Sequence, residues 1–202
     1  CVGLIGPSGA GKSSLARILV GANAPTAGSI RLGGRDIGQW LDQGTASPIG
    51  YMAQEVELFD GDIAANISRF GQGSSADIVR AASIANVHEM IMALPAGYRT
   101  SIGEAGLMLS GGMRQRVGLA KVFALSPQLL MLDEPFGALD EITRHTVNQV
   151  FLKLWQNHQM TVILVTHSLN EAIYLADRIV VLGKRPACVL GDFQNPVPRP
   201  GK

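Results

Sequence analysis

Gly6-Pro7-Ser8-Gly9-Ala10-Gly11-Lys12-Ser13 follows the apolar run Cys1-Val2-Gly3-Leu4-Ile5 and precedes Ser14-Leu15-Ala16-Arg17-Ile18-Leu19-Val20. The order is strand, glycine-rich loop, helix. Glycines at 6, 9 and 11 let the backbone turn its N–H groups toward a phosphate, and the helix behind them offers its positive N-terminal end. Lys12 adds a full charge, and the Ser13 hydroxyl suits a magnesium ion. The stretch reads as a phosphate-binding loop at the carboxyl end of a core strand.

Outward from this loop, buried strands and helices alternate. Leu129-Leu130-Met131-Leu132 is apolar throughout, as in a strand covered on both faces of a parallel sheet, and it delivers Asp133 and Glu134 at its end. Thr161 to Thr166 is a second such strand and leads to His167. Ser168-Leu169-Asn170-Glu171 has capping-box spacing and starts a helix in which Leu169, Ala172, Ile173 and Ala176 line up. Arg178 to Leu182 is the last clear strand. Asp140 caps a helix to about Asn157, with Val147, Val150, Phe151, Leu154 and Trp155 on its buried side.

Between these strands the pattern changes. Ser29 to Leu32 with Gly33-Gly34 reads as a strand and tight turn of a small antiparallel sheet, and Ile49 to Gln54 as a strand ending on a polar residue. Residues 62–86 are helical in pattern, with Ser74 starting a helix, and 90–106 read as loop. Ser110-Gly111-Gly112 opens a helix carrying Met113, Val117, Ala120 and Ala124 on one face and stopping near Pro127. Its N-terminus is a second candidate phosphate site. The expected organisation is an α/β core of residues 1–61 and 127–190, an inserted helical subdomain of residues 62–126, and an irregular tail of residues 191–202.

Composition narrows the function classes. The 202 residues are 47% hydrophobic and 16% charged with a formal net charge of +1, which fits an ordinary globular chain and gives no electrostatic reason to expect nucleic acid as a partner. Cys1 and Cys188 lack metal-ligand spacing and read as free thiols in a reducing compartment. No apolar run approaches the roughly 18 residues of a membrane span. The chain begins without methionine inside a core strand, so further residues upstream are expected.

The polar groups at the strand ends have separable roles. Asp133 can hold magnesium together with Ser13, while Glu134 can act as general base toward an attacking water. His167 can contact a γ-phosphate or position that water, and Gln54 can reach into the nucleotide site. His88, His145 and His158 have no evident partners and read as surface residues.

The ordered set Gly6 to Ser13, Gln54, Leu109-Ser110-Gly111-Gly112-Met113-Arg114-Gln115-Arg116, Leu129 to Glu134, Gly137-Ala138-Leu139-Asp140 and His167 resembles the nucleotide-binding domain of ATP-binding-cassette (ABC) proteins. In family terms these are the Walker A loop, Q-loop, signature motif, Walker B strand, D-loop and H-loop. The resemblance spans nearly the whole chain, and other P-loop enzymes lack the LSGG signature.

It implies a RecA-like P-loop core with a mainly parallel sheet, a partial antiparallel β subdomain and a helical subdomain. It also implies ATP and Mg2+ as cofactors. Gly6, Pro7, Ser8, Gly9, Ala10, Gly11, Lys12, Ser13 and Ser14 would hold the phosphates, and Ser13, Asp133 and Gln54 would face the metal. Two domains would pair head to tail, so that Ser110, Gly111, Gly112 and Asp140 of one meet the ATP of the other. Glu134, His167, Lys12 and Gln54 would serve catalysis. A membrane-spanning permease would be the second partner, placing the chain on the cytoplasmic side of the inner membrane, peripherally.

The likeness has two sources. Ser110 to Val117, Glu134 to Asp140 and Thr166 to Ala172 look like ATPase subunits of nitrate, sulfonate and taurine importers. Tyr51 to Phe59, Ile63 to Ile67, Leu94 to Thr100 and Ile102 to Gly106 look like exporters, particularly those of type I protein secretion. The seam falls near residues 106–110. Met113 stands where glutamine is common, and the aromatic residue that stacks on adenine would precede Cys1. A soluble ABC ATPase of DNA repair or translation is the competing class, as is a hybrid that binds nucleotide only weakly. Tandem copies or coiled-coil insertions would mark the soluble class, and the sequence has neither.

Overall fold

The structure, a computed structural model, describes residues 1–41, 49–71, 73–137, 139–157, 160–184 and 187–197. They form two compact units. The first comprises Cys1–Tyr51, Gln128–Glu134 and Met160–Lys202; the second comprises Met52–Pro127 and Pro135–Gln159. This division takes residues 52–61 and the helix after Asp140 away from the core that the sequence pattern outlined.

The first unit is built on a six-stranded sheet. Its strands are β1 (Val2–Ile5), β4 (Ile49–Met52), β5 (Leu129–Asp133), β6 (Thr161–Thr166), β7 (Arg178–Leu182) and β8 (Val189–Gln194), in the order β4-β5-β6-β1-β7-β8. The pairs β5/β6, β6/β1 and β1/β7 are parallel, and β7/β8 is antiparallel. Ile5 lies opposite Thr166, and Asp133 opposite Val165, so the residues that follow β1, β5 and β6 emerge at one edge.

Every residue of β5 is buried, as its unbroken apolar run requires. Helix α1 (Lys12–Leu19) lays Leu15, Ala16 and Leu19 against Leu4, Met131 and Val165. Helix α8 (Leu169–Leu175) contributes Ala172 to a cluster with Ala176 and Ile179. The strands β2 (Arg31–Leu32) and β3 (Arg35–Asp36) form the small antiparallel hairpin around Gly33-Gly34, and the short helix α2 (Ile37–Leu41) follows.

The second unit is helical: α3 (Ile63–Ile67), α4 (Ser75–Ile84), α5 (His88–Met92), α6 (Gly111–Phe123) and α7 (Glu141–Asn157). Helix α6 packs on α3 and α4 around the fully buried Ile63, Ile67, Ala81, Ala82 and Leu119. Asp62 caps α3 by accepting from the Ala65 N–H at 2.7 Å, and the Ser74 hydroxyl accepts from the Asp77 N–H at 3.2 Å at the start of α4. The buried Asn66 side chain bonds both the N–H and the C=O of Phe59, which fixes the segment between β4 and α3.

Several expectations need correction. The tail is not irregular from residue 191: β8 runs to Gln194, because β7 offers it a free edge and Arg178 pairs with Asp192 across the strands at 2.7 Å. The span 90–106 is not all loop, since Met90 to Met92 complete α5 and 3-10 turns form at Gly97–Arg99 and Glu104–Gly106. Leu169 is exposed, because it opens α8 ahead of the turn that meets the sheet. His88 has a partner: its Nδ1 lies 2.8 Å from the Tyr98 hydroxyl. His145 is exposed and meets Gln149 at 3.0 Å. His158, Ala138 and the prolines at 198 and 200 lie outside the described residues, as do the side chains of Val150 and Leu154.

Candidate nucleotide site

In the first unit, the loop from Gly6 to Gly11 leaves β1 and enters α1. Gly9 and Gly11 have φ of 78° and 86°, the left-handed region that L side chains avoid. A Cβ on Gly6 would lie 2.6 Å from the Leu182 carbonyl oxygen, so the loop is also pressed against the end of β7. Gly11 stands at the N-cap of α1 with no side chain to satisfy the first-turn N–H groups, leaving them for an anion. Lys12 is 5% exposed and folds back, its Nζ donating to the Gly6 and Pro7 carbonyls at 2.9 and 3.2 Å. Pro7, Ser8 and Gly9 are exposed, while Ala10 is buried beneath them.

Asp133 reaches this loop from the end of β5. The Ser13 hydroxyl donates to its Oδ1 at 3.0 Å, and the Tyr51 hydroxyl lies 3.5 Å from its Oδ2. The carboxyl is only 2% exposed. Burial raises it above the usual aspartate range; the Ser13 hydrogen bond opposes this, and the neighbouring Glu134 charge adds to it. Tyr51 is raised as well, first by burial and then by the Asp133 charge, with the nearby Arg17 cation opposing both.

Glu134 adopts φ of 47°, an uncommon left-handed conformation for a side-chain-bearing residue, held by its N–H donating to the Val165 carbonyl at 2.8 Å. His167 Nδ1 lies 3.0 Å from Glu134 Oε2, with the imidazole 62% and the carboxylate 15% exposed. Just behind, Thr166 donates to Glu171 Oε2 at 2.6 Å and accepts from the Ser168 N–H. Glu171 therefore serves Thr166, while Ser168 Oγ still accepts from the Glu171 N–H at 3.3 Å and caps α8.

The second unit carries the other predicted residues. Ser110 is the N-cap of α6, its Oγ accepting from the Met113 N–H at 3.3 Å. A cavity of about 330 Å³ opens there, lined by Ser110, Gly111, Gly112, Arg116, Leu139 and Asp140 among others. The Asp140 carbonyl accepts the first helical bond of α7 from Arg144 at 2.8 Å. Gln54 is exposed just beyond β4.

Three residues outside the predicted set support these groups. Arg144 donates to the Phe136 and Leu139 carbonyls at 3.2 and 2.7 Å and clasps the loop before α7. Its signal was available: a cation in a helix's first turn opposes the macrodipole and needs another reason to be there. The buried Gln115 amide donates to the Pro135 carbonyl. Tyr51 is the third; a hydroxyl on an otherwise apolar strand calls for a partner.

The donor chemistry fits magnesium. Ser13 and Asp133 offer hard oxygens side by side, and the described residues contain no group of three or more His, Cys, Asp or Glu that would make an all-protein cage. Magnesium prefers that arrangement, taking one or two protein oxygens with water and substrate phosphates.

Residues 1–137 match the family model described as ABC transporter, and the chain belongs to that family. It is 42% identical over 184 residues to the type I secretion system ATP-binding protein PrsD of Rhizobium meliloti, covering 91% of this chain and 31% of PrsD. It is 34% identical over 214 residues to the bicarbonate transport ATP-binding protein CmpD of Synechococcus elongatus, covering 98% of this chain and 69% of CmpD. A bacterial Atm1-family ABC exporter with ATP bound superposes with a TM-score of 0.84 at 34% identity, over 96% of this chain and 33% of that one. The chain thus spans about a third of the length of PrsD and of that exporter. Relatives named for type I secretion and for bicarbonate transport both appear.

Proposed function

We propose that this chain is the ATP-binding and ATP-hydrolysing domain of an ABC transporter. The observation that carries the reading is the Ser13 to Asp133 hydrogen bond at 3.0 Å, which joins the phosphate loop to the end of β5. The loop N–H groups and Lys12 would hold the triphosphate, and Ser13 and Asp133 would hold magnesium. Held by Ser13 and Asp133, a magnesium ion would supply positive charge against the charge of the transferring phosphoryl group. Glu134 accepts a proton from the attacking water, and the products are ADP and inorganic phosphate. His167, hydrogen-bonded to Glu134, keeps that carboxylate turned toward the reacting water.

The cavity at Ser110 to Gly112 fits a role toward the nucleotide of a second, head-to-tail copy, with Asp140 at the same contact. Closure of that pair would drive a membrane-spanning partner, with this domain on the cytoplasmic side. The similarity to a type I secretion protein, a bicarbonate transport protein and an ABC exporter favours this over a soluble repair or translation ATPase. No helix among the described residues is long and apolar enough to cross a membrane.

Glu134→Gln in the whole protein tests the assignment. Loss of a general base lowers steady-state ATPase by about 10² to 10⁴ fold while ATP binding remains. A near-wild-type rate would remove Glu134 from the mechanism.

A further inference from the structure

Tyr51 belongs to none of the motifs that carry the phosphate chemistry, yet it meets their buried carboxylate. Its ring packs with the cluster of Leu4, Ala16, Met131 and Val165, so the side chain is held by the core. From that position the hydroxyl lies 3.5 Å from Asp133 Oδ2. The other oxygen of the same carboxylate accepts from Ser13 at 3.0 Å. Each Asp133 oxygen thus faces one hydroxyl.

The terminal torsion of an aspartate is broad and close to two-fold, so a single donor leaves the carboxylate plane poorly fixed. A second hydroxyl on the opposite oxygen narrows that freedom, the Tyr51 contact at 3.5 Å being the longer of the two. Packing alone would be satisfied by phenylalanine; the hydroxyl adds only the polar contact.

We propose that Tyr51 is a positioning residue for the metal site: its hydroxyl holds Asp133 Oδ2 so that the carboxylate is presented in one orientation to magnesium. The inference rests on the reading that Ser13 and Asp133 face that ion. It acts through Asp133 and requires no contact between Tyr51 and metal or nucleotide. Groups that orient a metal's ligands in this way typically change metal affinity by about 10 to 100 fold when removed.

The test uses Mn2+ in place of Mg2+, with free Mn2+ counted by electron paramagnetic resonance in the presence of a saturating non-hydrolysable ATP analogue. Tyr51→Phe is expected to weaken Mn2+ binding about tenfold. Nucleotide affinity in EDTA and the melting temperature should stay at wild-type values. In ATPase assays the Mg2+ concentration for half-maximal rate should rise by a similar factor, with kcat at saturating Mg2+ within about twofold of wild type. Wild-type Mn2+ affinity in Tyr51→Phe overturns the inference.

Asp133→Asn separates the two readings. If it weakens Mn2+ binding and Tyr51→Phe does not, only the role of Tyr51 falls; if neither does, the metal site itself is wrong. Should Tyr51→Phe fail to fold, ¹⁹F NMR of 3-fluorotyrosine protein carrying Tyr98→Phe and Tyr174→Phe leaves Tyr51 as the one tyrosine within these 202 residues. A shift on adding Mg2+ to the nucleotide complex supports the coupling, and an unmoved resonance overturns it.

Discussion

The end of the sheet in the first unit and the start of α6 in the second both present a helix N-terminus behind glycines, but they differ in how their polar groups are occupied. At the sheet edge the groups answer one another: Lys12 with the Gly6 and Pro7 carbonyls, Ser13 with Asp133, His167 with Glu134. At α6 the Ser110 hydroxyl caps its own helix, and Gly111 and Gly112 front an open cavity. The first is a site organised from within one unit. The second is an open cavity at a helix N-terminus, the region proposed above as half of a shared site.

The comparison can be broken by substitutions that strike one region and spare the other. Gly6→Ala places a Cβ against the Leu182 carbonyl and should destabilise the first unit by about 3 kcal/mol, measured by denaturant unfolding. Ser110→Arg puts a long cation into the cavity and should lower ATPase by about 10² fold, as loss of a transition-state contact does, while nucleotide binding to the isolated chain is unchanged. Lost binding in Ser110→Arg would show that the two regions are not separable.

Ser110→Ala removes the helix cap and should cost about 1 kcal/mol of stability. Asp133→Asn acts in the opposite direction. The folded carboxyl is raised above its unfolded range, so its favourable contribution is present below the unfolded pKa and is lost as pH rises through the folded one. At neutral pH the nucleotide-free Asn variant should therefore melt a few degrees higher, and its advantage should shrink in acid. Smallest is Asp192→Asn at the exposed β7/β8 pair. That carboxyl is held low by the Arg178 hydrogen bond, so its small contribution is present at neutral pH and lost in acid; melting at pH 7 should barely move.

Legibility followed the range of the interactions. The strands β5, β6 and β7 were readable because burial on both faces forces an unbroken apolar run. Ser74 and Ser110 were readable as helix starts because a cap bonds three residues away. Strand β8 was missed: its residues are exposed and mixed, and it is a strand only because β7 supplies an edge. The histidine at 88 looked unpartnered because Tyr98 comes to it through a turn that no periodicity announces.

The sequence by itself determined the phosphate loop, the carboxylates at the end of β5 and the histidine after β6, since each depends on neighbours within a few residues. The family followed from their order. Only the tertiary structure decided that Ser13 and Tyr51 take opposite oxygens of Asp133, that Glu134 turns left-handed onto the Val165 carbonyl, and that Arg144 clasps the loop before α7. Most of those pairings join residues far apart in the chain, and even the Arg144 clasp depends on how the loop before α7 folds back; such directions are set by packing rather than by local spacing.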